Sequence, residues 1–243
     1  MKDKNFEKRN NKFIKLMSND KEFTKQSQQW FNNSIKYEYS YHFTWLERPI
    51  IQYPQDILAI QEIIWKIKPD LIIETGIARG GSLILSASIL ELIGKGHVLG
   101  IDIDIRKNNK YEIEKHSLSK RITMIQGSSI NKNIIKKVKK FAKGKKKIMV
   151  ILDSNHTHKH VLKELKEYSS LVSKGSYLII FDTVVEDLPD ELTKKRPWGI
   201  GNNPKTAVNS FLKINDRFKL DEKIEDKLLF TAAPYGYLKC IKN

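Results

Sequence analysis

The sequence predicts an α/β fold: a Rossmann-like, doubly wound and mostly parallel sheet, closed by a C-terminal antiparallel hairpin and preceded by an N-terminal extension. Three observations carry this expectation. Short apolar runs alternate regularly with helical segments through most of the chain. Such runs suit strands buried on both faces and covered by helices. The first of them, Leu71-Ile72-Ile73, leads into a glycine-rich turn, ETGIARGGS at 74–82, and then into the apolar segment LILSASILELI. The successive strands end in polar residues: Glu74, Asp102, the Gly127-Ser128-Ser129 turn, Asp153 and Asp182. In an open parallel sheet these ends share one edge, and ligands bind in the crevice there.

The elements follow in order. Residues 1–50 form the extension, charged at first and then aromatic. Tyr37, Tyr39, Tyr41, Phe43 and Trp45 alternate with more polar residues, a strand-like period. This aromatic row reads either as packing against the main domain or a second subunit, or as a stacking surface for a sugar. The domain proper spans 51–243, and Pro54 opens its first helix, through QDILAIQEIIWKIK. Strands are expected at 70–74, 97–102, 121–126, 147–152 and 176–181, with helices near 81–93, 106–116, 130–143 and 157–172. Residues 183–203 lack periodicity, and a long loop of this kind in a compact domain reads as a lid. Asn203-Pro204 is an N-cap followed by proline at the first helical position, so a helix covers TAVNSFLKI. KLLFTAA and YLKCI, joined by PYG, read as the closing hairpin.

Composition narrows the class. The 243 residues are 40% hydrophobic, enough for one α/β domain with an extension. Cys240 is the only cysteine, so no intrachain disulfide forms and a reducing compartment is expected. No apolar run approaches the ~18 residues that span a bilayer, and the charged N-terminus lacks a signal peptide's apolar block. The expected location is cytoplasmic. The net charge of +16 favours anionic partners. Nine lysines fall in residues 131–147, where Ile134, Ile135, Val138, Phe141 and Ala142 keep helical spacing. This is an amphipathic helix with a solvated lysine face. It lacks the interleaved aromatics of a nucleic-acid surface, so no specific nucleic acid is expected.

One carboxylate at a strand end caps the next helix as readily as it binds a ligand; several on one rim point to a site. The turn itself excludes two ligands. A dinucleotide fold needs G-x-G-x-x-G, and Ala78 stands where the second glycine belongs, between Gly76 and Gly80-Gly81. A Walker loop needs a lysine before Ser82, and Gly81 is there. A ligand without phosphates needs carboxylates for its hydroxyls and its amine. Glu74 beside the turn and Asp102, 26 residues after Gly76, suit the ammonium and the ribose of S-adenosylmethionine. Asp102 is preferred to Asp104 as the nearer to its strand end.

At this point the sequence resembles a known family. ETGIARGGS, GIDIDIR, GSS, the long block from LDSNHTHKHV to FDTVVEDLP, RPWGIGNNPKTAV and KLLFTAAPYGYLK are together similar to the cephalosporin hydroxylase family, from about Phe43 to Ile241. The family has the class I S-adenosylmethionine methyltransferase fold and is akin to rhamnosyl and macrolide-sugar O-methyltransferases. The resemblance implies that Glu74, Gly76 and Ser82, with Ala78 and Gly80 in the same turn, hold the methionine part. It implies Asp102 at the ribose and Ser128 or Ser129 near the adenine. Related O-methyltransferases carry magnesium on acids at the ends of strands four and five, which Asp153 and Asp182 match. Many relatives have two consecutive ligands at strand five. Here the pair is Phe181-Asp182, which leaves Glu186, Asp187 or water to complete the set.

The expected activity is therefore a metal-assisted O-methyl transfer to a hydroxyl of a sugar, polysaccharide or secondary metabolite. A cation would orient the acceptor and acidify its hydroxyl, and His156, three residues after Asp153, is the candidate base. Asp153 serves cation, cofactor and catalysis together. Trp198 in the lid and Arg79 in the turn are the substrate candidates. The expected partners are a small-molecule or glycan acceptor and further copies of the chain. The alternatives are a hydroxylase or other oxidoreductase, as the family name suggests, a non-catalytic binding protein on the same fold, and a nucleic-acid methyltransferase suggested by charge alone.

Overall fold

The computed structural model describes residues 3–243. Two polar helices open the chain: α1 (Lys4–Asn19) and α2 (Lys21–Ile35). Asp3 and Asp20 cap them by accepting from backbone N–H groups of the first turns. α1 buries none of its residues, whereas α2 sets Phe31 into the core, stacked on Tyr53 at 4.6 Å between ring centroids. The aromatic row is not one strand. Tyr39–Tyr41 makes a single 3-10 turn, and a short hairpin of β1 (Phe43–Trp45) and β2 (Arg48–Ile50) follows. The hairpin lies on α4 (Gly81–Ile93), where the Trp45 indole donates to Ser88 Oγ at 3.0 Å.

From α3 (Pro54–Ile67) onward the predicted alternation holds. It runs β3 (Leu71–Thr75), α4, β4 (His97–Asp102), α5 (Lys107–Lys115), β5 (Ile122–Gln126), α6 (Lys132–Ala142), β6 (Ile148–Leu152), α7 (His158–Tyr168) and β7 (Tyr177–Ile180). α8 (Pro204–Leu212), β8 (Phe218–Leu220), α9 (Glu222–Leu228) and β9 (Tyr237–Cys240) complete the described chain. The strand order is β5-β4-β3-β6-β7-β9-β8, with β9 antiparallel to both its neighbours. β3, β6 and β7 are buried at every position, because one apolar layer lies on each face of the sheet. α6 turns Ile134, Ile135, Val138 and Ala142 inward, leaving its lysines outside.

The closing hairpin differs from the expectation. β9 pairs with β8, and KLLFTAA is not a strand: it begins in α9, which ends at Leu229 with a left-handed φ of 65°. The fully buried Asp56 carboxylate explains why the rest stays a loop. It accepts hydrogen bonds from Thr231 Oγ1, from Ala232 N at 2.9 Å and from the Tyr237 hydroxyl at 2.7 Å. The bonds from Thr231 and Ala232 hold this segment against α3, so Ala232 N is not free to join a ladder.

The chain runs outward from β3 to β4 and β5, then returns to place β6 on the other side of β3. The topological switch point therefore lies between β3 and β6, and the residues just beyond those strands face a crevice. Gly76 follows β3 and Asp153 follows β6.

Candidate active site at the carboxyl edge of the sheet

The glycine turn is fixed by contact as well as by φ. Gly76 has φ +91°, and a Cβ there would lie 2.0 Å from the Asp153 carbonyl oxygen. Only glycine lets the ends of β3 and β6 approach so closely. Ala78 takes φ 46°, and Gly80, at +86°, starts α4. Asp102 braces this turn from the end of β4. Its Oδ2 accepts from Ile77 N at 2.7 Å and Ala78 N at 3.3 Å, and its Oδ1 from Asp104 N at 3.0 Å. An ionised carboxylate offers about four acceptor sites, so capacity for ligand hydroxyls remains.

Glu74 lies under the turn, only 1% exposed. One carboxylate oxygen accepts from Ser82 Oγ, and the other has no partner among the described residues. Burial raises its pKa to about 7, against the opposing Ser82 hydrogen bond. An unpartnered buried carboxylate oxygen is costly unless a donor meets it. The groups that line the adjoining hollow with Glu74 include Gln52, Ser82 and Asp153.

At the ends of β6 and β7, Asp153, His156 and Asp182 come together. One donor atom from each lies within 4.8 Å of the others. His156 Nδ1 is 3.1 Å from Asp182 Oδ2, and the Trp198 ring meets the imidazole edge-on, 4.8 Å between centroids. Gln52 Nε2 donates to Asp153 Oδ2 at 3.3 Å. Burial, then repulsion from Asp182, Glu74, Glu164 and Asp56, raises the Asp153 carboxyl well above the usual carboxylate range. Asp182 holds a left-handed φ of 55°.

A cleft of about 320 Å³ joins the turn to this cluster, with Asp102, Asp153, His156 and Asp182 in its wall. Tyr41, Gln52 and Tyr53 close it from the segment that leads into α3. Among the described residues, no lysine or arginine lines it, although the chain carries +16. Carboxylates left to repel each other beside an imidazole fit a divalent cation. A neighbouring hollow of about 180 Å³ shares Asp102 and Ser154 and contains Ser128, Ser129 and His160. There Ser129 Oγ is 3.0 Å from His160 Nε2, and the Tyr168 hydroxyl donates to Ser129 O at 2.7 Å.

Not every predicted residue joins the site. Glu186 turns away: its Oε2 accepts from Gly201 N at 2.8 Å and from Asn203 Nδ2, tying the start of the 183–203 segment to the N-terminus of α8. Asp187 is engaged by Lys205. Neither completes the cluster, and Phe181 is packed in the core. Arg79 is exposed and is not among the cleft-lining residues; its carbonyl accepts from Arg48. His158 and His160 are directed to Thr206 and Ser129. Gln52 and Tyr53 were not legible as site residues, because nothing in their local pattern links them to Asp153 about a hundred positions later. Tyr41 was visible only as part of an aromatic row.

The sequence model of the rhamnosyl O-methyltransferase/CmcI family matches residues 37–241. The rhamnosyl O-methyltransferase of Mycobacterium tuberculosis (strain H37Rv) is 30% identical over 186 residues, which cover 75% of this chain and 72% of that protein. The rhamnosyl O-methyltransferase of Mycobacterium leprae is 28% identical over 198 residues, covering 80% and 82%. Among solved structures, CmcI described with Mg and SAM superposes with a TM-score of 0.57 at 18% identity, over 83% of this chain and 78% of that one. That likeness concerns the fold. Extent of match and identity together place the sequence: this chain belongs to the rhamnosyl O-methyltransferase/CmcI family.

Proposed function

We propose that the protein is an S-adenosylmethionine-dependent, cation-assisted O-methyltransferase acting on a hydroxyl of a sugar, polysaccharide or secondary metabolite. The observation that carries this reading is the convergence of Asp102, Asp153 and Asp182 on the cleft beside the glycine turn, with Glu74 in an adjoining hollow that shares Asp153. The relatives named for rhamnosyl O-methylation favour a deoxysugar acceptor, and the fold is shared with a structure described with Mg and SAM.

In this reading the turn from Gly76 to Ser82 cradles the methionine part. The unpartnered oxygen of Glu74 meets the ammonium, Asp102 receives the ribose hydroxyls, and Ser128 and Ser129 border the adenine. Asp153 and Asp182 hold the cation, whose Lewis acidity lowers the acceptor hydroxyl's pKa. Trp198 and Tyr41 shield the sulfonium from water on the acceptor side. The protein's part is mainly alignment, which supplies much of the rate in a bimolecular transfer.

An iron oxygenase, which the hydroxylase in the family name suggests, needs two histidines and one carboxylate on one face. Among the described residues only His156 joins the carboxylates. No described helix is long and apolar enough to cross a membrane. The single cysteine supports a cytoplasmic location. Exposed Phe6, Phe13, Leu16, Phe23 and Trp30 on α1 and α2 support self-association.

The test is transfer of labelled methyl from S-adenosylmethionine to a panel of rhamnosides, macrolide glycosides and catechols, with and without a chelator. Transfer to a glycoside that chelation abolishes and added cation restores is expected. Asp153→Asn and Asp182→Asn should each cost about 100-fold or more. Equal turnover with chelator present would remove the cation from the mechanism.

A further inference from the structure

The residue before Asp182 is Phe181, 4% exposed and part of the core, so β7 offers the cleft one carboxylate. What stands beside the two aspartates is an imidazole. We propose that His156 is a ligand of the cation held by Asp153 and Asp182, and that this imidazole–dicarboxylate set selects a transition-metal dication such as Mn²⁺ or Co²⁺ over Mg²⁺. The inference rests on the cation-assisted reading above and assigns both the metal class and the role of His156.

Geometry supports it first. Ligands at right angles on an ion about 2.1 Å away stand about 3.0 Å apart. His156 Nδ1 and Asp182 Oδ2 are 3.1 Å apart, and Asp153 completes a set within 4.8 Å. The ring is oriented by the edge-on contact with Trp198 at 4.8 Å. The other histidines of the HTHKH stretch do not compete, since their nitrogens face Thr206 and Ser129.

The surroundings supply a second, independent argument. Among the described residues, no lysine or arginine lines the cleft. The one hydrogen bond described to the Asp153 carboxylate comes from the neutral amide of Gln52, at 3.3 Å. Glu74, 1% exposed and with an unpartnered oxygen, lines the hollow that Asp153 and Phe181 also line. The negative charge is left for a cation to meet.

Donor chemistry then chooses the ion. Mg²⁺ demands oxygen donors in near-octahedral array and sheds water reluctantly. Imidazole nitrogen adds affinity along the first-row series, where Mn²⁺ and Co²⁺ already exceed Mg²⁺ at mixed N/O sites. A carboxylate at position 181 would have restored an all-oxygen set; phenylalanine does not. One consequence concerns catalysis. A neutral imidazole bound through Nδ1 carries its proton on Nε2 and accepts no other, so His156 is a metal ligand and not the general base expected from its position. Proton removal then falls to water or to a carboxylate at the cluster.

The experiment uses the full chain without a histidine tag. Mn²⁺ and Mg²⁺ are titrated separately by calorimetry, and the Mn²⁺ form is examined by electron spin-echo spectroscopy for ¹⁴N coupling. The expected result is Mn²⁺ binding on the order of tenfold tighter than Mg²⁺, with directly bound nitrogen that becomes ¹⁵N when histidine alone is labelled. His156→Ala should lose the nitrogen signal and weaken Mn²⁺ at least about tenfold, while Mg²⁺ affinity moves much less. Isotope labelling needs no variant, so the test survives a His156→Ala protein that fails to fold. Absence of nitrogen coupling in Mn²⁺-loaded wild-type protein, or equal affinity for the two ions, would overturn the proposal. S-adenosylhomocysteine titrated into the metal-free protein reports on the methyltransferase reading separately: its failure to bind sinks that reading and leaves the metal result standing.

Discussion

Glu74→Gln is the substitution whose effect is best defined by the structure. The carboxyl is fully buried and its pKa is raised from an ordinary 4.5 to about 7. An acid that holds its proton more tightly folded than unfolded lends stability that is complete below about 4.5 and is lost as pH rises to about 7. At about 1.4 kcal/mol per pH unit, the loss across that window is about 3 kcal/mol. Glutamine keeps the shape and the acceptor for Ser82 but does not titrate. Its amide adds a pH-independent offset of about 1–3 kcal/mol for a buried donor, so the slope is the observable. Part of the relief arises at Asp153, which Glu74 repels. Urea denaturation of the ligand-free protein and the variant, at steps from pH 4.5 to 8, measures it. The wild type should lose about 3 kcal/mol relative to Glu74→Gln over this range, while the variant binds S-adenosylmethionine more weakly. A stability difference that stays constant within about 0.5 kcal/mol from pH 4.5 to 8 would refute the reasoning.

Other substitutions probe the frame around the site. Gly76→Ala meets both a left-handed φ and the Asp153 carbonyl, and should destabilise by about 3 kcal/mol or more, read as a large drop in Tm. Asp56→Ala strands Thr231 Oγ1, Ala232 N and the Tyr237 hydroxyl. A cost of about 3 kcal/mol is expected in urea, with the 229–236 segment exposed to amide exchange. Asn203→Ala removes a capping box and the clamp on Glu186. It should cost about 1–2 kcal/mol and raise the acceptor KM more than the cofactor KM, because the lid bearing Trp198 is freed.

Much of this architecture is legible because burial on both faces writes itself as unbroken apolar runs. β3, β6 and β7 fall within a residue or so of their expected limits, and Asn203-Pro204 begins α8 as its capping chemistry requires. The misreadings have separate causes. α1 and α2 are polar on average and their few apolar residues stay mostly exposed, so no buried run announces them, and α1 buries nothing. β8 has three residues, too few to show a period, while the more apolar KLLFTAA looks like a strand and is held as helix and loop by Asp56. The strand-end carboxylates mark the rim in the sequence. Which acids face the cleft depends on backbone turns: Asp182 enters it with φ 55°, and Glu186, four residues on, binds Gly201 N instead. Gln52, Tyr53 and Ala232 reach the cleft through tertiary packing alone.

The central claim is that an acidic rim at the carboxyl edge of the sheet grips a methyl-donating nucleoside. Titration calorimetry with S-adenosylmethionine, on the wild type and on Asp102→Asn, tests it most directly. Saturable binding is predicted, weakened about tenfold or more by the substitution as charge-assisted bonds to the ribose are lost, with no binding of NAD. No heat of binding at millimolar S-adenosylmethionine, or an affinity that Asp102→Asn leaves unchanged, would contradict it.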